Sequence, residues 1–365
     1  MNRRSANAIG HRMTSFSNRS IFALCVLLAG IAGIAAIGGA QQEFSPTAFN
    51  DAELKEFSSV APIDVHTHLL KSDPAFNAML ERLHVHVLNI FVGDPTSGAT
   101  PESFTALRQD AWQAVESSAG RAQLSTTFDP FDWNQADFPR IPIESVNKDF
   151  ARGAAGMTIW SNGLTHLKDS SGKFVSADDP RLEPIYKDLL ALHKTFIAHL
   201  GGPEEAWAPE SPSTADGSVP AVLVARDRVI AQNPHLRVVG AHLGSMKEDL
   251  DQLAQRLDRF PNLAVDTSGR VPYLMGLSRE RAIAFLTKYQ DRILYGSDLG
   301  FRSTEHMEDL RKTWEERYAS EWRYFATDAT FTYQGHQVQG LNLTKSILRK
   351  LYHDNAEHWI PGVVR

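Results

Sequence analysis

Cysteine is almost missing from this chain: 365 residues hold one, Cys25, inside the N-terminal 40. Disulfide staples and thiolate chemistry are therefore closed to the remainder. A basic surface is missing as well, since 37 Lys+Arg stand against 43 Asp+Glu for a net charge of −6. Without a Lys/Arg cluster the chain lacks the electrostatic footprint of a nucleic-acid binder. No internal repeat, low-complexity tract or interdomain linker is evident. An apolar content of 42% with 22% charged residues excludes a disordered chain.

The N-terminus has a character of its own. Arg3, Arg4, Arg12 and Arg19 are the only charges in residues 1–40, so removing these four positive charges from −6 leaves −10 for the rest. An apolar or small-residue run follows from Ile21 to Ala40 and ends in Gly38-Gly39-Ala40. A charged region, an apolar region and small closing residues predict a secretory signal peptide over 1–40, hence an exported, periplasmic or extracellular protein. An uncleaved membrane anchor is the rival, because about 20 apolar residues can span a bilayer. The Gly and Ala content favours cleavage and no membrane contact afterwards. Residues 41–60 then read as a lead-in, and 61–365 as one domain.

Short β-rich runs alternate with amphipathic stretches along that domain. Candidate strands are 63–65, 87–92, 123–128, 155–159, 195–198, 236–240, 263–265 and 293–294, with helices predicted over 101–118, 180–193, 221–232, 247–260 and 278–289. Eight strands with intervening helices predict an α/β (β/α)8 barrel, with a doubly wound sheet as competitor. The stretches 305–326 and 342–353 read as extra C-terminal helices. The loops 160–179 and 201–218, rich in Gly, Ser, Asp and Pro, follow strands, where a barrel keeps its active site.

Polar residues end several of these apolar strands. Pro62-Ile63-Asp64-Val65-His66-Thr67-His68 runs a strand into two histidines two apart, a spacing that sends both imidazoles to one side. His84 and His86 share that spacing but precede the second strand, at the rim where a barrel places no chemistry. His199 ends Phe196-Ile197-Ala198, His242 follows Val238-Val239-Gly240-Ala241, and Asp298 follows Ile293-Leu294-Tyr295-Gly296-Ser297. Three imidazoles and a carboxylate suit one divalent ion, zinc foremost, or manganese, iron or cobalt, with an open position for water.

In this order the residues resemble the amidohydrolase superfamily. The wording IDVHTHL, VVGAHLG, PNLAVDTSG, ILYGSD and KLYHDNAEHW is most similar to its amidohydrolase-related branch, which includes aminocarboxymuconate-semialdehyde decarboxylase-like enzymes. The resemblance spans about Pro62 to Pro361 and implies a TIM-type barrel with a mononuclear or binuclear metal centre. It further implies His66, His68, His199 and Asp298 as metal ligands, Asp298 and His242 as catalytic groups, and His242 bonding a water or polarising a carbonyl. Thr158 stands where this branch often carries a lysine, so no bridging carbamate can form and a single ion is expected.

A small-molecule substrate follows from such a site. Hydrolysis of an amide, ester or lactone and metal-dependent decarboxylation of an aromatic or unsaturated acid both remain open on these residues. A non-catalytic metal-binding protein is the reading from another class. Trp160 and Trp207 are candidate pocket walls, and Arg152 and Arg270 are candidate carboxylate contacts weighed against surface ion pairs. Asp266 is either a support of the site or a hydrogen-bonded cap, and Asp64 braces the histidine pair. A homodimer is compatible with the fold.

Overall fold

The computed structural model describes residues 48–92, 99–160, 164, 167–168, 171–172, 174–201, 221–246 and 249–364. The leader with Cys25, and Trp207, lie outside the described residues.

Nine parallel strands run in order: β1 (Ile63–Leu69), β2 (His86–Ile90), β3 (Ala122–Thr126), β4 (Gly156–Trp160), β5 (Thr195–His199), β6 (Val238–Gly240), β7 (Leu263–Asp266), β8 (Ile293–Leu294) and β9 (Leu299–Phe301). The sheet starts at β8 and ends at β9, with β7 back to β1 between them. Because β8 and β9 are consecutive in the chain, together they occupy the eighth position. β8 pairs with β7 and β9 with β1. The backbone N–H groups of Val65 and Asp298 donate to the carbonyls of Tyr295 and His66, each at 2.9 Å, and join the two edges. This is the expected TIM-type barrel, with helices outside.

Strands buried on both faces explain the near-continuous apolar runs that made them legible. Inward-facing Ile63, Val65, Leu88, Ile90, Ala155, Ile197, Val239, Ala264 and Leu294 form an inner core, which Ala356, Trp359, Ile360 and Val363 close from below. The C-terminal segment thus seals the N-terminal end of the barrel. Thr195, first in β5, donates its hydroxyl to the Trp359 carbonyl. Asn355 reaches the carbonyl of Ile293, first in β8, at 2.8 Å. Chemistry is left to the opposite end.

β1 is longer than the predicted 63–65 and carries both histidines within it. Its pairing with β2 shifts register between Asp64 and Thr67. Such a bulge re-aims the residues beyond it. Val65 faces the inner core and His66 follows it inward, whereas Asp64 turns out toward the helix Met307–Ala326. Helices found but not predicted include Asp51–Ser59, Pro74–Leu83 and Arg140–Arg152. The last holds Pro142 in its first turn, where proline is tolerated although it reads as a breaker. A hairpin, Thr330–Tyr333 with His336–Gln339, lies between the two predicted terminal helices.

Candidate metal centre

Five strand-end residues converge at the C-terminal end of the barrel. The ring of His66 is central, with centroids of His68, His199 and His242 at 5.3, 5.2 and 4.8 Å. Asp298, in the break between β8 and β9, sets Oδ1 3.4 Å from His68 Nε2 and 3.7 Å from His66 Nε2. Nε2 of His199 lies 2.9 Å from Nε2 of His242. Ligand atoms of His66, His199 and His242, and those of His66, His68 and Asp298, each gather within 4.8 Å of one another. Every residue named from the sequence for the centre is therefore present in it.

Hydrogen bonds behind the rings decide which nitrogens are free. His66 Nδ1 lies 3.0 Å from Asp266 Oδ2, an acceptor, so the proton sits on Nδ1 and Nε2 faces the centre as a lone pair. His68 Nδ1 donates to the Ile90 carbonyl at 2.9 Å and likewise frees Nε2. His242 Nδ1 donates to the Ser268 carbonyl at 2.8 Å. Neutral His242 is then an acceptor at Nε2, which suits bonding a water better than the expected polarisation of a carbonyl. Asp266 thus fills both roles open in the sequence. Its Oδ2 sets the His66 tautomer, while Oδ1 accepts from His242 N at 2.9 Å and Ser268 N at 3.1 Å.

Two devices hold the polypeptide around these rings. Asp64 accepts from the backbone N–H groups of His66 and Ser297, the Ser297 hydroxyl, and Tyr318 Oη at 2.9 Å. It therefore braces the histidine pair, as expected, and also ties β1 to the turn bearing Asp298. After β6 the chain makes a left-handed turn, with φ of 58°, 53°, 64° and 54° at His242, Leu243, Gly244 and Ser245. Behind it the fully buried Arg226 donates to the Gly244 carbonyl and pairs with Asp227 at 3.0 Å. Nothing in the sequence pattern marked Arg226; a lone arginine in an amphipathic helix ordinarily reads as solvated.

The electrostatics follow from burial. Burial, with the neighbouring imidazoles, drives His199 well below its usual pKa and His242 down to about 4. Burial also lowers His68, against the pull of the Asp298 carboxylate beside it. For His66 burial is outweighed by Asp266 behind it and Asp298 before it, and its pKa rises. Burial likewise opposes charge on Asp298, but His68, its Nε2 3.4 Å away, and the surrounding imidazoles hold its carboxyl below the usual range. His66 Nε2 and His199 Nδ1 are buried without a hydrogen-bond partner. His66 Nε2 stands 3.7 Å from the ionised Asp298 carboxylate, and its lone pair with those of the neighbouring imidazoles is the donor set a divalent cation completes, so the residues fit a metal ion.

The remaining candidates separate clearly. Thr158 is buried with its hydroxyl 2.7 Å from that of Ser125, leaving no bridging side chain on β4. Trp160 ends β4 with its indole 6.1 Å from the His199 ring, at the wall of the site. Arg152 pairs with Glu116 at 2.6 Å and stacks on Trp112, away from the centre. Arg270 follows Gly269, whose missing Cβ would lie 3.1 Å from Asp298 Oδ2. His84 is an exposed left-handed helix cap and His86 opens β2 beside Arg121, both at the rim.

Residues 63–361 match the family model described as Amidohydrolase. No curated protein matches the chain. Among solved structures, an uncharacterized TIM-barrel protein from Bordetella bronchiseptica is 15% identical with a TM-score of 0.52, over 83% of this chain and 99% of that one. 2,6-Dihydroxybenzoate decarboxylase from Rhizobium is 14% identical with a TM-score of 0.52, over 82% and 98%. A probable 2-pyrone-4,6-dicarboxylic acid hydrolase from Acinetobacter baumannii, with citric acid bound, is 12% identical with a TM-score of 0.50, over 82% and 99%. At these identities the likeness is one of fold.

Proposed function

Because the chain belongs to the amidohydrolase family, whose members are metal-dependent hydrolases and lyases, we propose that it hydrolyses an amide, ester or lactone of a small molecule. His66, His68, His199 and Asp298 would hold one divalent ion, zinc or a first-row relative. Bound there, the ion would supply Lewis acidity and bring the pKa of a water from 15.7 to about 7. Asp298 then takes a proton at a carboxylate oxygen and returns it to the leaving group. His242 Nε2 accepts a hydrogen bond from the attacking water and orients it, while its Nδ1–H stays on the Ser268 carbonyl. Asp266 holds His66 in the tautomer that leaves Nε2 for the ion.

One observation carries hydrolysis over decarboxylation. The groups left to handle protons at the centre are acceptors: His242 Nε2, whose Nδ1 carries the proton, and the Asp298 carboxylate. Such a set suits taking a proton from water rather than delivering one to carbon. The basic and apolar leader over residues 1–40 supports an exported enzyme acting on incoming compounds. The test is activity on a panel of lactones, esters and amides, beside carbon dioxide release from aromatic acids. Activity should vanish on chelation and return with zinc or manganese. Purified wild type should hold stoichiometric metal and Asp298→Asn much less; wild type without stoichiometric metal ends the proposal.

A further inference from the structure

Asp298 is the exposed member of the centre, its side chain 36% accessible, so solvent and substrate enter beside it. Four residues on, after β9, stands Arg302, exposed and without a hydrogen-bond or ion-pair partner among the described residues. Its side chain does not lie on the outside of the barrel. In the parallel pairing of β9 with β1, Gly300 is the register partner of His68, and Phe301 that of Leu69. Register partners in parallel strands point to one side, and successive residues alternate. His68 faces the centre, so the bare face of Gly300 does too. Phe301 points outward, its ring 4.8 Å from that of Phe76. A Cβ built on Gly300 would lie 3.7 Å from Arg302 Nε and 3.8 Å from the His68 carbonyl oxygen. The guanidinium therefore folds back over Gly300, on the inner side of the mouth, next to His68. The backbone of Gly300 is not left-handed, so its conformation does not demand glycine. What the missing side chain does there is leave the lane between His68 and the guanidinium open.

The geometry points to Arg302 as the residue that binds an anionic group of the substrate, separate from the bond that reacts. This rests on the hydrolase reading and narrows it to small organic carboxylates. An unpaired guanidinium presents a planar fork of donors that matches a carboxylate two-point, which an ammonium cannot do.

The test uses full-length protein, zinc-loaded and metal-free, titrated calorimetrically with benzoate and with its uncharged likeness benzamide. Wild type should prefer benzoate in both forms. Arg302→Gln should weaken benzoate about tenfold, the worth of one charge-assisted hydrogen bond, and leave benzamide unchanged. Arg302→Lys should fall between, and Arg152→Gln, remote from the mouth, should match wild type. Exposure of Arg302 means the melting temperature should not move. Equal benzoate affinity in Arg302→Gln and wild type, or no preference for benzoate over benzamide in wild type, overturns the assignment. Zinc stoichiometry in the same samples keeps the two ideas apart. Protein without zinc fails the hydrolase reading, while the metal-free titration still decides Arg302.

Discussion

Replacing Asp266 by asparagine changes one atom and should cost the centre its metal. Three donors converge on Oδ1 of Asp266: His242 N at 2.9 Å, Ser268 N at 3.1 Å and the Ser268 hydroxyl. An asparagine must keep its carbonyl oxygen there, because the flipped amide would set NH2 against two backbone N–H groups. Its nitrogen then occupies the place of Oδ2, 3.0 Å from His66 Nδ1. A donor at that position forces His66 to carry its proton on Nε2, the nitrogen that faces the centre. Loss of such a supporting partner lowers metal affinity about 10- to 100-fold, or roughly 1.4–2.7 kcal/mol. Zinc affinity of wild type and Asp266→Asn, measured by competition with a chromophoric chelator, reads this directly. Melting of both metal-free proteins separates it from misfolding, and should differ by no more than about 2 kcal/mol, since every donor on Oδ1 stays paired. Wild-type zinc affinity in a normally folded Asp266→Asn protein would refute the tautomer argument.

Two further outcomes follow from the same geometry and its surroundings. Gly269→Ala puts a side chain on a residue at φ 62° and a Cβ 3.1 Å from Asp298 Oδ2. The variant should lose about 1–2 kcal/mol of stability by denaturant unfolding and bind zinc more weakly, since the displaced carboxylate is one of the proposed ligands. Glu321, buried beneath the Asp298 turn, accepts from Tyr295 Oη at 2.7 Å, and burial pushes its carboxyl up to about 7 from an ordinary 4.5. The folded state therefore holds this proton more tightly than the unfolded chain. Its stabilising contribution is complete below pH 4.5 and gone above pH 7. Relative to Glu321→Gln, wild type should lose at most about 3 kcal/mol of unfolding free energy across that interval; a pH-independent difference would contradict it.

The barrel was legible because its strands are buried on both faces, and all eight apolar runs fall on observed strand positions. The interruption that splits the eighth into β8 and β9 left no signal, because Tyr295–Asp298 reads as the end of a strand rather than a break within one. Positions of the converging residues were legible for a related reason: a polar residue ending an apolar run can point only to the barrel's open end. The hydrogen bonds behind them were not. Asp266 joins His66, 200 residues away, to the His242 backbone, a pairing that no local spacing encodes. Arg302 is equally silent in the sequence, since its direction follows from which residue of β1 lies opposite Gly300.

Several departures from regular backbone lie at the centre. His66 is turned inward by the bulge in β1, His242, Leu243 and Ser245 are left-handed without being glycine, and Asp298 is left-handed at φ 67°. Each such non-glycine residue costs of order 1 kcal/mol or more and persists only where tertiary contacts hold it. The contacts that hold these are polar and buried: Asp64 at the bulge and the Asp298 turn, Asp266 at the His242 backbone, Arg226 at the Gly244 carbonyl. A regular strand alternates its faces, so it could not turn Val65 and His66 inward together. Ordinary right-handed turns would not bring His242 Nε2 to 2.9 Å from His199 Nε2. The strain is thus the cost of converging five side chains from four strand ends, and the buried carboxylates and arginine are what the fold spends to keep it.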